Sequence, residues 1–231
     1  MRNKAILFLI AALFAVIAAQ AAKAQTEPFI LITWKALNYA PANFEGKVLP
    51  MQNSPIVASV ALLQNGKFID TSKMQIKWSI NSQPVQSGIG LQTIIFQEPD
   101  LGGGGNSTDV TVEIPNYTGG SILNTISISP TQPKATIDAP YPNLQFSGSQ
   151  LNIKAVPYFF NVNSISGLDI SWTVNSVSPT DLTDPSNLQI KLNQQLQSGT
   201  VLPINLNITQ ISDSLFGKAS SDINLIYNNE K

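Results

Sequence analysis

KMQIKWSINSQPV, Lys73 to Val85, alternates apolar and polar residues around Trp78, and GLDISWTVNSVSP, Gly167 to Pro179, does the same around Trp172. Successive residues of a strand point to opposite faces, so this period of two reads as a strand with one buried face and a tryptophan at its centre. The two tryptophans lie 94 residues apart, and at that offset Ile76 falls on Ile170, Ile80 on Val174, Asn81 on Asn175 and Ser82 on Ser176. Without a gap, Ile94 and Phe96 then meet Leu188 and Ile190, while Val110, Val112 and Ile114 meet Ile204, Leu206 and Ile208. Upstream, an offset of 95 pairs Ile56, Ala58 and Val60 with Leu151, Ile153 and Ala155; downstream, an offset of 97 pairs Ile126 and Ile128 with Ile223 and Leu225. Small changes of offset are what loop insertions produce. One domain is written twice.

Each copy holds about seven strand signals in roughly 100 residues, the size and strand count of an immunoglobulin-like sandwich with a buried tryptophan between its sheets. The chain has no cysteine, so no disulfide accompanies the indole. Asn65-Gly66 sits between apolar runs and predicts a tight hairpin. LGGGGN, Leu101 to Asn106, predicts a flexible loop, and SPTQPK, Ser129 to Lys134, a short stiff connection between the copies.

The chain opens MRNKAILFLIAALFAVIAAQAAKAQ, with Arg2 and Lys4 ahead of an apolar run and small residues ending Ala22-Lys23-Ala24. That is the grammar of a secretory signal peptide, with cleavage expected after Ala24. The alternative is an uncleaved anchor, because Ala5 to Ala22 approaches the length of a spanning helix. The expected organisation is therefore a signal peptide helix over 1–24 and all-β immunoglobulin-like sandwich domains over 25–131 and 132–231. Without the leader the chain carries ten basic and 14 acidic residues, a formal charge of −4. That balance offers nucleic acid nothing. Only 12% of residues are charged, and none is histidine, which removes the commonest general base, the usual zinc ligand and the Ser-His-Asp arrangement.

WSINSQPVQSGIGLQTIIF (78–96), SWTVNS (171–176) and ITWKALNYAP (32–41) together resemble exported bacterial proteins built from tandem immunoglobulin-like domains. In those proteins a W-x-V/I-N-G-like strand precedes a G-x-G-L run and a further strand. The resemblance covers most of the chain beyond residue 24 and implies spacer, adhesive or assembly roles, with no catalytic residue to carry over.

Several stretches invite chemistry. LGGGGN lacks the Gly-Lys-Ser/Thr and helix of a phosphate loop. Asp181, Asp184 and Asn187 carry hard oxygens but not the spacing of a calcium loop, and read as a turn. Glu98 and Asp100 flank a proline and read as a solvated turn rather than a glycosidase pair. Lys77, Lys154 and Lys191 neighbour core-facing residues, so alternation turns them outward, where no isopeptide bond forms. Asn106, Asn116 and Asn207 fit the N-x-S/T pattern. Phe159 and Phe160 are adjacent, so only one is expected to face inward along a strand.

Trp34, Tyr39 and Phe44 form an aromatic cluster with no counterpart in the second copy; they are candidate ligand contacts, or a first strand and loop closing over the core. Trp78 and Trp172 are the expected core anchors. The expectation is an exported, non-enzymatic binding or structural protein of the cell envelope or extracellular space. Its alternatives are a carbohydrate-binding module and a subunit of a surface appendage or secretion assembly. No cofactor or metal is implied. The expected partner is a protein or glycan at the cell surface, with membrane contact only through an uncleaved leader.

Overall fold

A computed structural model of the chain describes residues 27–99, 107–180, 182–192 and 196–228. The expected leader, Asp100, the glycine run 101–106 and Asp181 lie outside the described residues. The first copy contributes β1 (Phe29–Ala36), β2 (Pro55–Gln64), β3 (Lys67–Ile69), β4 (Gln75–Ile80), β5 (Gln83–Ile89), β6 (Thr93–Gln97), β7 (Thr108–Tyr117) and β8 (Gly120–Ile128). The second contributes β9 (Lys134–Asp138), β10 (Gln145–Phe146), β11 (Gln150–Tyr158), β12 (Leu168–Val174), β13 (Asn187–Lys191), β14 (Val201–Gln210) and β15 (Lys218–Tyr227).

In the first copy one sheet runs β1-β2-β3, with β6 also on β2, and the other runs β5-β4-β7-β8. In the second copy the sheets run β13-β11-β9 and β10-β15-β14-β12. These are two tandem immunoglobulin-like sandwiches. Grouped by proximity, the residues fall into two compact units. One holds the stretch ending at Thr33 with Ser59–Thr93 and Asp109–Ile126; the other holds Trp34–Ala58, Ile94–Thr108 and Ser127–Lys231.

The sequence repeat maps onto the strands as β2 to β11, β4 to β12, β6 to β13, β7 to β14 and β8 to β15. Alternation decides which residues meet the core: in β4, Ile76, Trp78 and Ile80 are buried and Lys77 is exposed. Trp78 is fully buried, and its Nε1–H donates to the Leu91 carbonyl at 2.9 Å. Trp172 is buried as well, and its Nε1–H donates to the Pro185 carbonyl at 2.8 Å. In both copies the acceptor lies 13 residues downstream. Each indole therefore satisfies its one polar atom on the chain entering the next strand of the opposite sheet, which is what lets a tryptophan sit in a dry core.

The repeated Asn-Ser pair has a local cause. Asn81 and Ser82 have φ of 49° and 65°, and Asn175 and Ser176 have 48° and 65°, the left-handed pair that a two-residue hairpin turn requires. In the first copy this turn launches β5; in the second the chain makes a single bridge, Val174 to Val177, and leaves the sheet. The hairpin predicted at Asn65-Gly66 also forms, with φ of 52° and 72° between β2 and β3. No helix among the described residues is long and apolar enough to cross a membrane.

Candidate functional site

The aromatic cluster divides. Trp34 lies half-buried near the end of β1, with Lys47 Nζ 3.4 Å from its ring centroid. This cation–π contact packs an ammonium against an indole, and partial burial lowers the lysine pKa from its ordinary value. Tyr39 and Phe44 take different partners. Tyr39 N–H donates to the Phe160 carbonyl at 2.8 Å, and Phe159 N–H donates to the Tyr39 carbonyl at 2.7 Å, a reciprocal pair of strand-like bonds. The Asn38 side-chain amide donates to the Phe159 carbonyl at 2.7 Å, fastening the same segment. Phe44 meets Tyr158 and Phe159 edge-on, with centroids 5.6 Å apart in each case.

Phe159 and Phe160 correct the sequence reading, because both are buried. Alternation fails here because Phe159 has φ of 66°, a left-handed turn that few bulky residues adopt. Phe160 thereby enters the core of the second copy while Phe159 packs under Phe44.

Next to this junction, entirely within the second compact unit, is a cleft of about 650 Å³. Tyr39, Pro41 and Asn43 line one part, and the outward residues of β9 and β11 line another. Register explains the rest. Lys154 pairs with Asp138 on β9 and with Asn187 on β13, so the three side chains form one row across the sheet. Thr136 and Val156 make the next row, followed by Tyr158. The Asp138 carboxylate and Lys154 ammonium face the same side without forming an ion pair. A second concavity, about 280 Å³, shares Asp138, Lys154 and Asn187 with the first; a third, about 520 Å³, shares Asn187 and Gln189 with the second. The outward face of β9, β11 and β13 is thus furrowed from side to side.

At the far end, the Asp184 carboxylate accepts hydrogen bonds from Ser186 N–H at 2.9 Å, from the Ser186 hydroxyl at 2.6 Å and from the Asn187 side-chain amide. These bonds hold its pKa below the ordinary carboxylate value. They occupy the oxygens in turn formation, in line with the turn expected there. Among the described residues no cluster of three or more His, Cys, Asp or Glu exists to hold a metal ion.

Glu98 departs from expectation. Rather than lying in a solvated turn, it is 1% exposed. Its N–H donates to the Ser54 carbonyl at 2.8 Å, which extends the pairing of β6 along the start of β2 and carries the side chain inward. The Thr108 hydroxyl donates to Oε1 at 2.7 Å, while Oε2 has no partner among the described residues. Desolvation raises this carboxyl's pKa, and the threonine bond offsets only part of the rise. Lys77, Lys154 and Lys191 are exposed, as alternation requires, and Lys77 Nζ lies 3.5 Å from Glu113.

No family model and no curated protein matches the chain. Among solved structures, it is similar to three N-terminal domains of the highly immunogenic outer capsid protein of bacteriophage RB49. Identity is 13% and TM-score 0.42, over 87% of this chain and 59% of that one. It is also similar to the tandem Ig repeats of Dlar, at 10% identity and TM-score 0.27, over 89% of this chain and all of that one. A third likeness is to the SGBP-B protein of a Bacteroides ovatus mixed-linkage glucan utilization locus, solved with a heptasaccharide. Identity is 14% and TM-score 0.22, over 88% of this chain and 47% of that one. At TM-scores below 0.5 these likenesses carry no argument about this chain.

Proposed function

We propose that this is an exported, non-enzymatic binding protein of the cell envelope or extracellular space, with residues 25–131 and 132–231 as its two modules. The observation that carries the reading is the furrowed outward face of β9, β11 and β13, walled by Tyr39 and Tyr158. Concave sites that combine aromatic faces with a few placed polar groups are how proteins hold small or polymeric ligands. Of the three aromatic candidates, Tyr39 lines this cleft and Phe44 buttresses its Tyr158 wall, whereas Trp34 is engaged by Lys47. Cell-envelope fractions from the source cells, fixed on a sensor surface, test the reading. The protein binds them, and Tyr39→Ala with Lys154→Met weakens that binding while Lys77→Met, on a different sheet, leaves it intact. Equal binding by all three proteins excludes the cleft as the contact surface.

A second reading, assembly into an appendage, draws on β5. It is an edge strand without a charged residue, and six of its seven residues are exposed. Uncharged edges invite strand addition, although Pro84 and the irregular pairing at Trp78/Ser79 interrupt this one. Native mass spectrometry at high concentration distinguishes the two: oligomers lost on Val85→Lys favour assembly, and monomers alone remove it.

A further inference from the structure

We infer that the furrow over β9, β11 and β13 binds an uncharged linear polysaccharide, an inference that rests on the binding reading above and names its ligand class. The shape comes first. Three concavities adjoin through shared walls, so the track crosses all three strands, at least roughly 10 Å at the usual strand spacing, with further reach on either side. A row of adjoining concavities suits an extended polymer better than a compact small molecule.

Charge narrows the class. The furrow carries two acids, Asp138 and Asp184, and two bases, Lys154 and Lys191. Mixed signs, with Lys134 one row further on beside Tyr158, leave only a weak net field to attract a polyanion or a polycation. Because Asp138 and Lys154 stand in register and remain unpaired with each other, they present an acceptor and a donor side by side. Adjacent hydroxyls of a sugar ring offer the matching donor and acceptor, and charged partners make those hydrogen bonds stronger than neutral ones. Thr136 and Gln189 extend the polar floor to either side.

The aromatic walls fit the same ligand. Tyr39 and Tyr158 bring flat apolar faces with polar tips, suited to the C–H faces of sugar rings. An extended peptide fits less well. Strand addition needs unpaired backbone, but β11, the floor of the track, is already paired on both sides, to β9 and to β13.

Native gel electrophoresis of the full chain through gels carrying dextran, xylan, galactomannan or hydroxyethylcellulose, with alginate and polygalacturonate as anionic controls, tests the inference. At least one neutral polymer retards the protein, and the retardation persists between about 0.05 and 0.5 M salt, where exposed charge attraction is screened away. Tyr39→Ala, Tyr158→Ala and Lys154→Met each weaken it about tenfold, a loss of about 1.4 kcal/mol, while Lys77→Met does not. Lys154 is exposed, so its variant keeps the fold even if a tyrosine variant melts early. Retardation by the anionic polymers alone, lost in salt and in Lys154→Met, overturns the neutral ligand but leaves the cleft as a binding surface. No retardation by any polymer, or retardation unchanged in all three variants, overturns the inference; envelope binding that still depends on Tyr39 and Lys154 then upholds the broader reading.

Discussion

Glu98 shows how one buried carboxyl ties stability to pH. Because its pKa is raised in the folded state, the protonated form is the one the core accepts. Stability from this group is complete below the ordinary glutamate pKa and is lost as pH rises through the raised folded value, since the folded chain then holds a proton that the unfolded chain has released. Glu98→Gln keeps an acceptor for Thr108 and cannot ionise. Denaturant melts across pH 4 to 9 therefore show the parent losing stability toward the alkaline side relative to the variant. Parallel curves for the two proteins contradict a buried, protonatable Glu98. Nothing local in the sequence announced this burial, because Glu98 is followed by Pro99, Asp100 and glycines, which signal a turn. The cause is nonlocal: backbone pairing with Ser54 and a hydroxyl from Thr108. Trp78 and Trp172 were legible for the opposite reason, since the period of their own strands is enough to turn them inward.

At the scale of strands and turns, the repeat carries more than core positions. The Asn-Ser pairs recur because each stands at a left-handed turn, and the run G-I-G-L at the end of β5, found in the first copy, has a similar local cause. Gly90 has φ of 67°, and a Cβ added there would lie 2.6 Å from the Ser72 carbonyl oxygen. Gly90→Ala therefore costs about 1 to 3 kcal/mol in a urea melt, from a left-handed backbone and a clash with main chain. A loss below about 0.5 kcal/mol contradicts that geometry. The strand alternation that placed the three lysines outward failed at Phe159, where a left-handed residue ends the period. The furrow was beyond reach of sequence reasoning because its central row, Asp138, Lys154 and Asn187, depends on the register of three strands far apart in the chain. Tyr39 was visible as an aromatic without a counterpart, but its partners Phe159 and Phe160, just past β11, were not.

For the whole molecule, one Trp-centred sandwich has been used twice, and the proposed binding surface combines the outward face of β9, β11 and β13 with Tyr39 from ahead of the second copy. The cores are apolar and repetitive, each organised by an indole whose N–H is bonded to a carbonyl 13 residues on. The outer faces are free to differ, as residues 37–47 and the β9, β11 and β13 surface do. The most direct test of this organisation is hydrogen exchange at the three indole N–H groups, followed by nitrogen-15 NMR on the full chain. Trp78 and Trp172, buried and bonded, exchange slowly, whereas Trp34, half-buried and without an indole hydrogen bond among the described residues, exchanges quickly. Exchange at Trp78 or Trp172 as fast as at Trp34 contradicts the doubled core on which the rest depends.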